Sequence, residues 1–315
     1  MPYETVLYET DGAVATITLN RPERLNTIVP PLPEELEQAV IQANHDPAVR
    51  VIVLRGAGRA FCAGFDFSGD LGHFKDVLYS EGRWDPGKDL IAATSAFSAP
   101  VPKFMSLWRS PKPVIAQVHG WCVGGGSDMA LCADIVIAAE DAQIGTPYSR
   151  AWGCYLSGIW IYRLGLTRTK WHALFGEPLS GKEAAEIGLI NKAVPFARLE
   201  DDVRRYAKQL ASLPLPQLAA MKLIVNQAYE NMGLHSTQLL GPILDGYMRN
   251  IKEGLAFVET AATRGVGAAV AERDRPFGDY SQGPPSRRPN PNHVIRPGKK
   301  KGKERKQNRA GSRIS

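Results

Sequence analysis

Residues 114–134, VIAQVHGWCVGGGSDMALCAD, carry the pattern that decides the fold. The stretch begins as an apolar strand, passes through three consecutive glycines and ends in a segment with helical spacing of its apolar residues. The first N–H groups of such a helix have no intrahelical acceptor and lie at the positive end of its dipole, so they can hold a developing oxyanion. A triple glycine also occurs where a strand merely packs tightly against a helix, so both interpretations stay open.

Similar short apolar runs lie on both sides of this stretch, and segments with a helical period, such as residues 34–44, lie between them. The runs are residues 13–19, 51–54 and 135–138. Strands that alternate with helices predict an α/β fold with a largely parallel sheet.

The character of the sequence changes in the last third. Ser180 and Glu183 form an S-x-x-E capping box, and beyond Leu199 only helical periods separated by proline and glycine occur. We therefore divide the chain into a core at 1–198, a helical region at 199–282 and a tail at 283–315.

Composition excludes several classes of protein. The 315 residues are 44% hydrophobic and 22% charged, which is typical of a globular chain. No apolar run approaches the ~20 residues of a membrane span, and the first residues do not have the plan of a signal peptide. The cysteines are sparse and form no C-x-x-C pair, so we expect free thiols and a cytoplasmic location. They are Cys62, Cys122, Cys132 and Cys154.

The basic charge of the chain belongs to its tail. Residues 283–315 contain eleven Lys and Arg side chains and one acid, Glu304, so they carry a net charge of +10, and residues 1–282 carry −4. The tail is rich in proline and poor in large apolar side chains, which predicts disorder. It is interpreted either as a solvated extension or as a nonspecific arm that weakly binds nucleic acid, an anionic membrane or polyphosphate.

Three kinds of site are disfavoured. Residues 51–61 resemble the G-x-G-x-x-G motif of dinucleotide-binding proteins, but Phe61 occupies the third glycine position. No G-x-S-x-G sequence surrounds Ser127 or Ser157, which argues against a serine hydrolase. The six histidines are isolated, and no cluster has the spacing of metal ligands. We predict neither a metal nor a nucleotide cofactor.

A second loop of small residues, 58–66 (GRAFCAGFD), follows the strand at 51–54 and can expose another backbone N–H. Two such donors make an oxyanion hole, which stabilises a carbonyl oxygen as it gains negative charge.

With these two loops, the sequence resembles the crotonase (enoyl-CoA hydratase/isomerase) superfamily. The resemblance covers about residues 5–280 and rests on short motifs that occur in the order and spacing of the family. These motifs are LNRP at 19–22 with LN at 25–26, DP at 46–47, AFCAGFD at 60–66, PKPVIA at 111–116, RLG at 163–165 and EAAEIGLI at 183–190.

The resemblance implies a crotonase-like spiral of ββα units with a helical C-terminal trimerisation region. It implies self-association as a trimer or a dimer of trimers, and an acyl-CoA thioester as substrate with no further cofactor. The oxyanion donors would be the N–H groups of Ala63 and Gly125. Other family positions would contact CoA, and they correspond to Arg24, Ala63, Gly64, Phe65, Asp66, Gly124, Gly125 and Phe277. Arg273 beside Phe277 is interpreted either as part of this segment or as a surface charge.

Two positions depart from the family pattern. Typical hydratases use one Glu in the glycine loop and another after a downstream Gly-x-Pro, so that two carboxylates share acid–base work. Here the first is the shorter Asp128, and the second, after Gly145-Thr146-Pro147, is Tyr148. Two alternatives stay open for Tyr148: its phenol is a proton donor paired with Asp128, or its ring only packs on the acyl chain.

The leading hypothesis is an enoyl-CoA hydratase/isomerase-like enzyme with Asp128 and Tyr148 as the catalytic candidates. Alternatives are another reaction of the scaffold, such as C–C or thioester hydrolysis or decarboxylation, and a noncatalytic acyl-CoA binder. The aromatic stretch around Trp152 and Trp160 is interpreted as core or subunit interface, or else as a wall of the acyl pocket.

Overall fold

The computed structural model describes residues 3–68, 74, 78–95 and 99–277. A six-stranded sheet forms the centre, in the order β1-β2-β3-β6-β8-β11. Only β1 and β2 are antiparallel, and every later neighbour is parallel. The strands are β1 Val6–Asp11, β2 Val14–Leu19, β3 Val51–Gly56, β6 Val114–Val118, β8 Ile135–Ala139 and β11 Lys192–Val194.

Two smaller sheets lie beside it. One has the order β10-β9-β7, with β7 parallel and β10 antiparallel to β9, and the other is the hairpin of β4 and β5. These strands are β4 Tyr79–Ser80, β5 Arg83–Trp84, β7 Trp121–Val123, β9 Gln143–Gly145 and β10 Leu179–Ser180.

Eleven α-helices are found in the described residues. The first six are α1 Leu32–His45, α2 Pro86–Thr94, α3 Pro100–Arg109, α4 Gly125–Leu131, α5 Ile159–Phe175 and α6 Gly181–Glu186. The remaining five are α7 Phe196–Ala211, α8 Leu215–Asn231, α9 Leu234–Arg249, α10 Lys252–Arg264 and α11 Val266–Asp274. The predicted α/β class with a helical C-terminal third is confirmed.

The stretch at 114–134 turns sharply between two sheets. It forms β6, then β7 in a different sheet, and then α4. The sequence predicted a strand, a glycine turn and a helix, without the second strand β7. The turn is at Gly120, whose φ is +57° and whose added β-carbon would lie 2.1 Å from the Arg59 carbonyl oxygen. Only glycine tolerates both the conformation and this approach.

Helix α7 belongs to the core. Its Leu199, Val203 and Ala207 are buried in the cluster that fills the space against the central sheet. The predicted boundary between residues 198 and 199 therefore falls inside a helix of the core.

No described helix is long and apolar enough to cross a membrane. The four cysteines are free thiols, as predicted. The predicted basic tail at 283–315 lies outside the described residues.

A buried ion pair fastens α8 to the edge of the core. Lys222 Nζ lies 2.8 Å from Asp134 Oδ2, which also accepts a 2.7 Å bond from the Val114 N–H. The two side chains are 9% and 20% exposed, so water screens the pair weakly. Loss of the cation leaves a carboxylate without its counter-charge in a poorly solvated place.

We expect Lys222→Met to lower the free energy of unfolding by about 3–5 kcal/mol, because Asp134 then stays buried and unpaired. Chemical denaturation followed by circular dichroism measures the loss. The double variant Lys222→Met with Asp134→Asn should recover part of the stability, and exposed Lys208→Met on α7 serves as the control. A Lys222→Met protein as stable as the control would contradict the role of the pair.

Candidate active site

The two glycine-rich loops meet beside β7. The Cys62 N–H donates to the Trp121 carbonyl oxygen at 2.9 Å, and the Val123 N–H donates to the Cys62 carbonyl oxygen at 3.1 Å. These bonds continue the small sheet by one residue and place the loop at 58–66 next to the start of α4. The sequence indicated that each loop could supply a donor to an oxyanion hole, and the fold brings the two loops together.

The prediction that Ala63 is a free oxyanion donor is wrong. Its N–H donates to the Leu25 carbonyl oxygen at 3.0 Å, so it is already used inside the protein. The neighbouring Asn26 explains the geometry, since its buried side chain donates to the Ala57 and Ala60 carbonyl oxygens at 2.9 and 2.8 Å. The Leu-Asn motif therefore holds this loop from behind.

The backbone N–H of Phe65 is a candidate oxyanion donor in place of that of Ala63. Ile28 bonds to the residues on either side of it, accepting from the Asp66 N–H at 3.0 Å and donating to the Gly64 carbonyl oxygen at 2.8 Å. In an extended segment successive N–H groups point to opposite sides. The Phe65 N–H therefore points away from Ile28, and no backbone acceptor for it is found among the described residues.

Gly125 is the first residue of α4, where its N–H has no intrahelical acceptor. An added β-carbon at Gly125 would lie 2.5 Å from the Phe65 ring, so the two residues are in close contact. The N–H groups of Phe65 and Gly125 are thus a candidate pair of oxyanion donors.

Asp128 is completely buried one turn further along α4. Its Oδ1 accepts bonds from the Ser157 N–H at 2.9 Å and the Ser157 hydroxyl at 2.7 Å, and its Oδ2 accepts a 2.8 Å bond from the Tyr148 hydroxyl. Burial raises the pKa of Asp128, although these donors oppose the change. A carboxylate with a raised pKa is a stronger base than usual.

Tyr148 stands between Asp128 and the glycine loop. It is half-buried, and its hydroxyl lies 3.9 Å from the position that a β-carbon on Gly124 would occupy. Burial, and next the charge of Asp128, raise the pKa of Tyr148 well above 10, so the phenol keeps its proton at neutral pH. The bond to Asp128 favours a proton-transfer role over simple packing.

Sequence reasoning did not assign Ser157 a role. Its hydroxyl and N–H both bind Asp128, and the adjacent Trp160 donates from its indole to the Ser127 hydroxyl at 3.1 Å. Trp160 is fully buried and lies in the core. Trp152 instead packs edge-to-face on Phe67 and Phe257, within the same chain.

Two of the residues predicted to contact CoA are the direct chain neighbours of Leu25 and Phe65. Arg24 is exposed just before Leu25, and Asp66 follows Phe65. Burial disfavours the charge of Asp66, but donors from Ser68 and Thr27 and the charge of Arg21 outweigh it, so its pKa is lowered.

The C-terminal segment is fixed to the turn that carries Tyr148. Arg150, two residues further on, forms a buried ion pair with Asp274 at 3.2 Å, and its guanidinium lies 4.2 Å from the centre of the Phe277 ring. Arg273 pairs with the same Asp274 at 2.8 Å, so it is more than a solvated surface charge. Phe277 is 40% exposed.

Comparisons with known proteins agree with one another. Residues 9–263 match the family described as enoyl-CoA hydratase/isomerase. The 1,2-epoxyphenylacetyl-CoA isomerase of Escherichia coli is 34% identical over 72% of this chain and 84% of its own. A probable enoyl-CoA hydratase of Rhodobacter capsulatus is 34% identical over 73% of this chain and 84% of its own. The crystal structure of an enoyl-CoA hydratase from Mycobacterium smegmatis is 41% identical, with a TM-score of 0.80 over 87% of this chain and 94% of that one.

This chain belongs to the enoyl-CoA hydratase/isomerase family. The predicted crotonase superfamily membership and fold class are therefore confirmed, and the chain is an enzyme of this family. The family membership does not select one reaction, because the relatives carry the names of different ones.

The two buried thiols beside the glycine loops are unsuited to nucleophilic catalysis. Burial raises the pKa of Cys62 to about 12 and that of Cys122 well above its usual value, so both thiols stay protonated. Within the residues that the structure describes, no group of three His, Cys, Asp or Glu side chains could hold a metal ion.

Gly153 controls where the Tyr148 ring lies. Its φ is +125°, and an added β-carbon would lie 2.2 Å from Tyr148 Cδ1. We expect Gly153→Ala to displace the ring and break its bond to Asp128, at a cost of about 1–3 kcal/mol in backbone strain alone. Thermal unfolding and a crystal structure of the variant test this.

Gly12→Ala is the matched control, because Gly12 also has a positive φ, +56°, but nothing within 4 Å of an added β-carbon. It should lose only about 1–2 kcal/mol. A Gly153→Ala structure with the bond between Tyr148 and Asp128 intact would contradict the prediction.

Proposed function

We propose that this protein acts on acyl-CoA thioesters through an enolate, with two backbone N–H groups at the carbonyl oxygen and the Tyr148–Asp128 pair as proton carrier. The observation that carries the proposal is the 2.8 Å bond from the Tyr148 hydroxyl to the fully buried Asp128. This bond supports a role for the two side chains as a proton-transfer pair beside the proposed oxyanion donors.

The thioester carbonyl oxygen would lie between the N–H groups of Phe65 and Gly125. As a proton leaves the acyl chain, the electron pair of the C–H bond moves toward this oxygen. Fixed donors stabilise the negative charge without having to reorient. Backbone groups do this work, so side-chain identity matters there mainly for shape.

The Tyr148–Asp128 pair can move a proton in either direction. When the phenol oxygen takes a proton from the substrate, its own proton passes to Asp128 Oδ2, and the reverse transfer returns it. Ser157 holds Asp128 in place during both steps. Asp128 has no exposure, so it reaches the substrate only through Tyr148.

The rest of the substrate would lie along the predicted CoA positions, Arg24, Gly64, Asp66, Gly124 and Phe277. We infer no cofactor beyond the CoA of the substrate itself. A cytoplasmic location agrees with the four free thiols.

Incubation of the purified protein with saturated, 2-enoyl, 3-enoyl, dienoyl and β-keto acyl-CoA thioesters identifies the reaction. Chromatography with mass spectrometry separates a shifted double bond, added water, lost carbon dioxide and free CoA. We expect a double-bond shift or addition of water. Free CoA or decarboxylation would point to another reaction of the scaffold, and binding without conversion would point to a noncatalytic acyl-CoA protein.

Tyr148→Phe separates proton transfer from packing, because phenylalanine keeps the ring and loses only the hydroxyl. We expect Tyr148→Phe and Asp128→Asn each to lower kcat by about 10² to 10⁴. The double variant should be little worse than either alone, since the two residues act as one unit. Steady-state kinetics on the converted thioester provides the measurement.

Calorimetric titration with an unreactive saturated thioester controls for binding. Both variants should bind it with nearly the wild-type Kd. If Tyr148→Phe retains full kcat, the ring only packs on the acyl chain and the proposed role is wrong.

We also propose that the protein self-associates as a trimer or a dimer of trimers. Helix α8 exposes a row of large apolar side chains, with Leu223 at 68% and Ile224 at 66%, and α5 exposes Leu166 and Leu174. Apolar surface on this scale marks protein–protein contacts.

Light scattering during gel filtration should give a mass three or six times that of the 34.4 kDa chain. Leu223→Asp should lower that mass, because it buries a charge in the contact, whereas Leu7→Asp on β1 should not. A monomeric wild type would overturn this proposal and leave the chemistry unaffected.

The basic tail is a separate candidate for weak nucleic-acid binding. A salt-dependent RNA shift that disappears when residues 283–315 are deleted would support it.

A further inference from the structure

Helix α9 lies along the segment that leads to the active site. Gln238 Nε2 donates to the Ser157 carbonyl oxygen at 3.1 Å, and an added β-carbon at Gly241 would lie 2.5 Å from the Tyr155 carbonyl oxygen. Successive turns of α9 thus meet successively earlier residues of the segment. Asp245 is one turn beyond Gly241 on the same face, which directs it toward Cys154 and the Tyr148 turn.

Asp245 shares one cation with a second carboxylate. Its Oδ2 lies 3.0 Å from Arg249 Nε, and Arg249 Nη2 lies 2.8 Å from Asp89 Oδ1. The guanidinium also lies 4.5 Å from the centre of the Trp84 ring. Two carboxylates and one cation leave this cluster with a net negative charge.

Close packing of α9 against α2 brings the two carboxylates together around Arg249. An added β-carbon at Gly246 of α9 would lie 2.0 Å from Asp89 Oδ2 of α2. The Asp89 side chain is 6% exposed, whereas that of Asp245 is 19% exposed. Of the two carboxylates, Asp245 is therefore the more exposed.

The charge of Asp245 acts on the catalytic pair. Its charge contributes to the raised pKa of Tyr148 and of Cys154, which agrees with the face of α9 on which Asp245 lies. Burial raises the pKa of Asp245 to about 6; Asp89 and Asp128 add to the rise and Arg249 opposes it. A base with a pKa just below neutral is mostly ionised at pH 7 and still accepts a proton readily.

We propose that Asp245 is the second acid–base residue of the site, supplied by α9 in place of the carboxylate that Tyr148 replaces. This inference rests on the proposed function. The site would then contain two carboxylates, Asp128 and Asp245, of which Asp245 comes from a helix distant in sequence.

The proton balance is simple. The ionised Asp245 takes a proton from one acyl carbon, and the C–H electron pair becomes the enolate whose oxygen is held by Phe65 and Gly125. Tyr148 gives its hydroxyl proton to another acyl carbon and receives the proton of neutral Asp128. The proton on Asp245 then returns to Asp128 through Tyr148 or water, and no oxidation or reduction occurs.

The first test is Asp245→Asn in the full chain. We expect kcat to fall by about 10² to 10⁴ while calorimetric binding of a saturated acyl-CoA stays near the wild-type Kd. Asp245→Glu should restore part of the rate. The wild-type kcat/KM should fall as the pH decreases through about 6, because protonation removes the base. The Asp245→Asn variant should lack this acidic limb of the pH profile.

The matched variant is Asp89→Asn, which keeps Asp245 and removes the neighbouring negative charge. Without that charge the pKa of Asp245 falls, so the limb should move to lower pH, by up to about one unit, with the plateau rate retained. This shift also tests the inference if Asp245→Asn fails to fold.

An Asp245→Asn enzyme with wild-type kcat, or an Asp89→Asn enzyme with an unmoved limb, would overturn the inference. If Tyr148→Phe abolishes turnover and Asp245→Asn does not, only this inference fails. A wild-type protein that converts no thioester overturns the proposed function itself and the inference with it.

Discussion

The buried carboxylate of Asp128 is the constraint around which the active site is organised. A charged group without solvent must be hydrogen-bonded, because an unpaired one costs several kcal/mol. Its donors come from the Tyr148 turn and from Ser157, just before α5. Satisfying one side chain therefore fixes three segments relative to one another, and those segments carry the proposed proton pair and the start of α4.

The same segments are held from outside by the C-terminal helices. Arg150 joins the Tyr148 turn to Asp274, and Gln238 joins Ser157 to α9. Helices that a sequence indicates only as an oligomerisation region thus also cover the site of their own chain. This packing directs Asp245 toward the Tyr148 turn, and it couples the position of the proposed acid–base groups to the docking of the last third of the protein.

The sequence predicted the α/β class, the two glycine loops and Asp128 and Tyr148 as the catalytic candidates, because each depends on local pattern or on motif order. It left open whether Tyr148 pairs with Asp128 or packs on the acyl chain. It misplaced one oxyanion donor. The difference between Ala63 and Phe65 depends on which N–H points inward, and that follows from the bonds to Leu25 and Ile28, about forty residues away in the chain. Ser157 and Asp245 carried no motif that could have identified them.

The sequence by itself determined the alternation of apolar strands and helices in the core and the helical C-terminal third, since hydrophobic period and backbone sterics act over a few residues. Tertiary structure alone decided which N–H groups stay free, that Asp128 lies behind Tyr148, and that Asp89 and Asp245 share Arg249. These features depend on distances between segments far apart in the chain, and a pattern of neighbouring residues contains no measure of such distances.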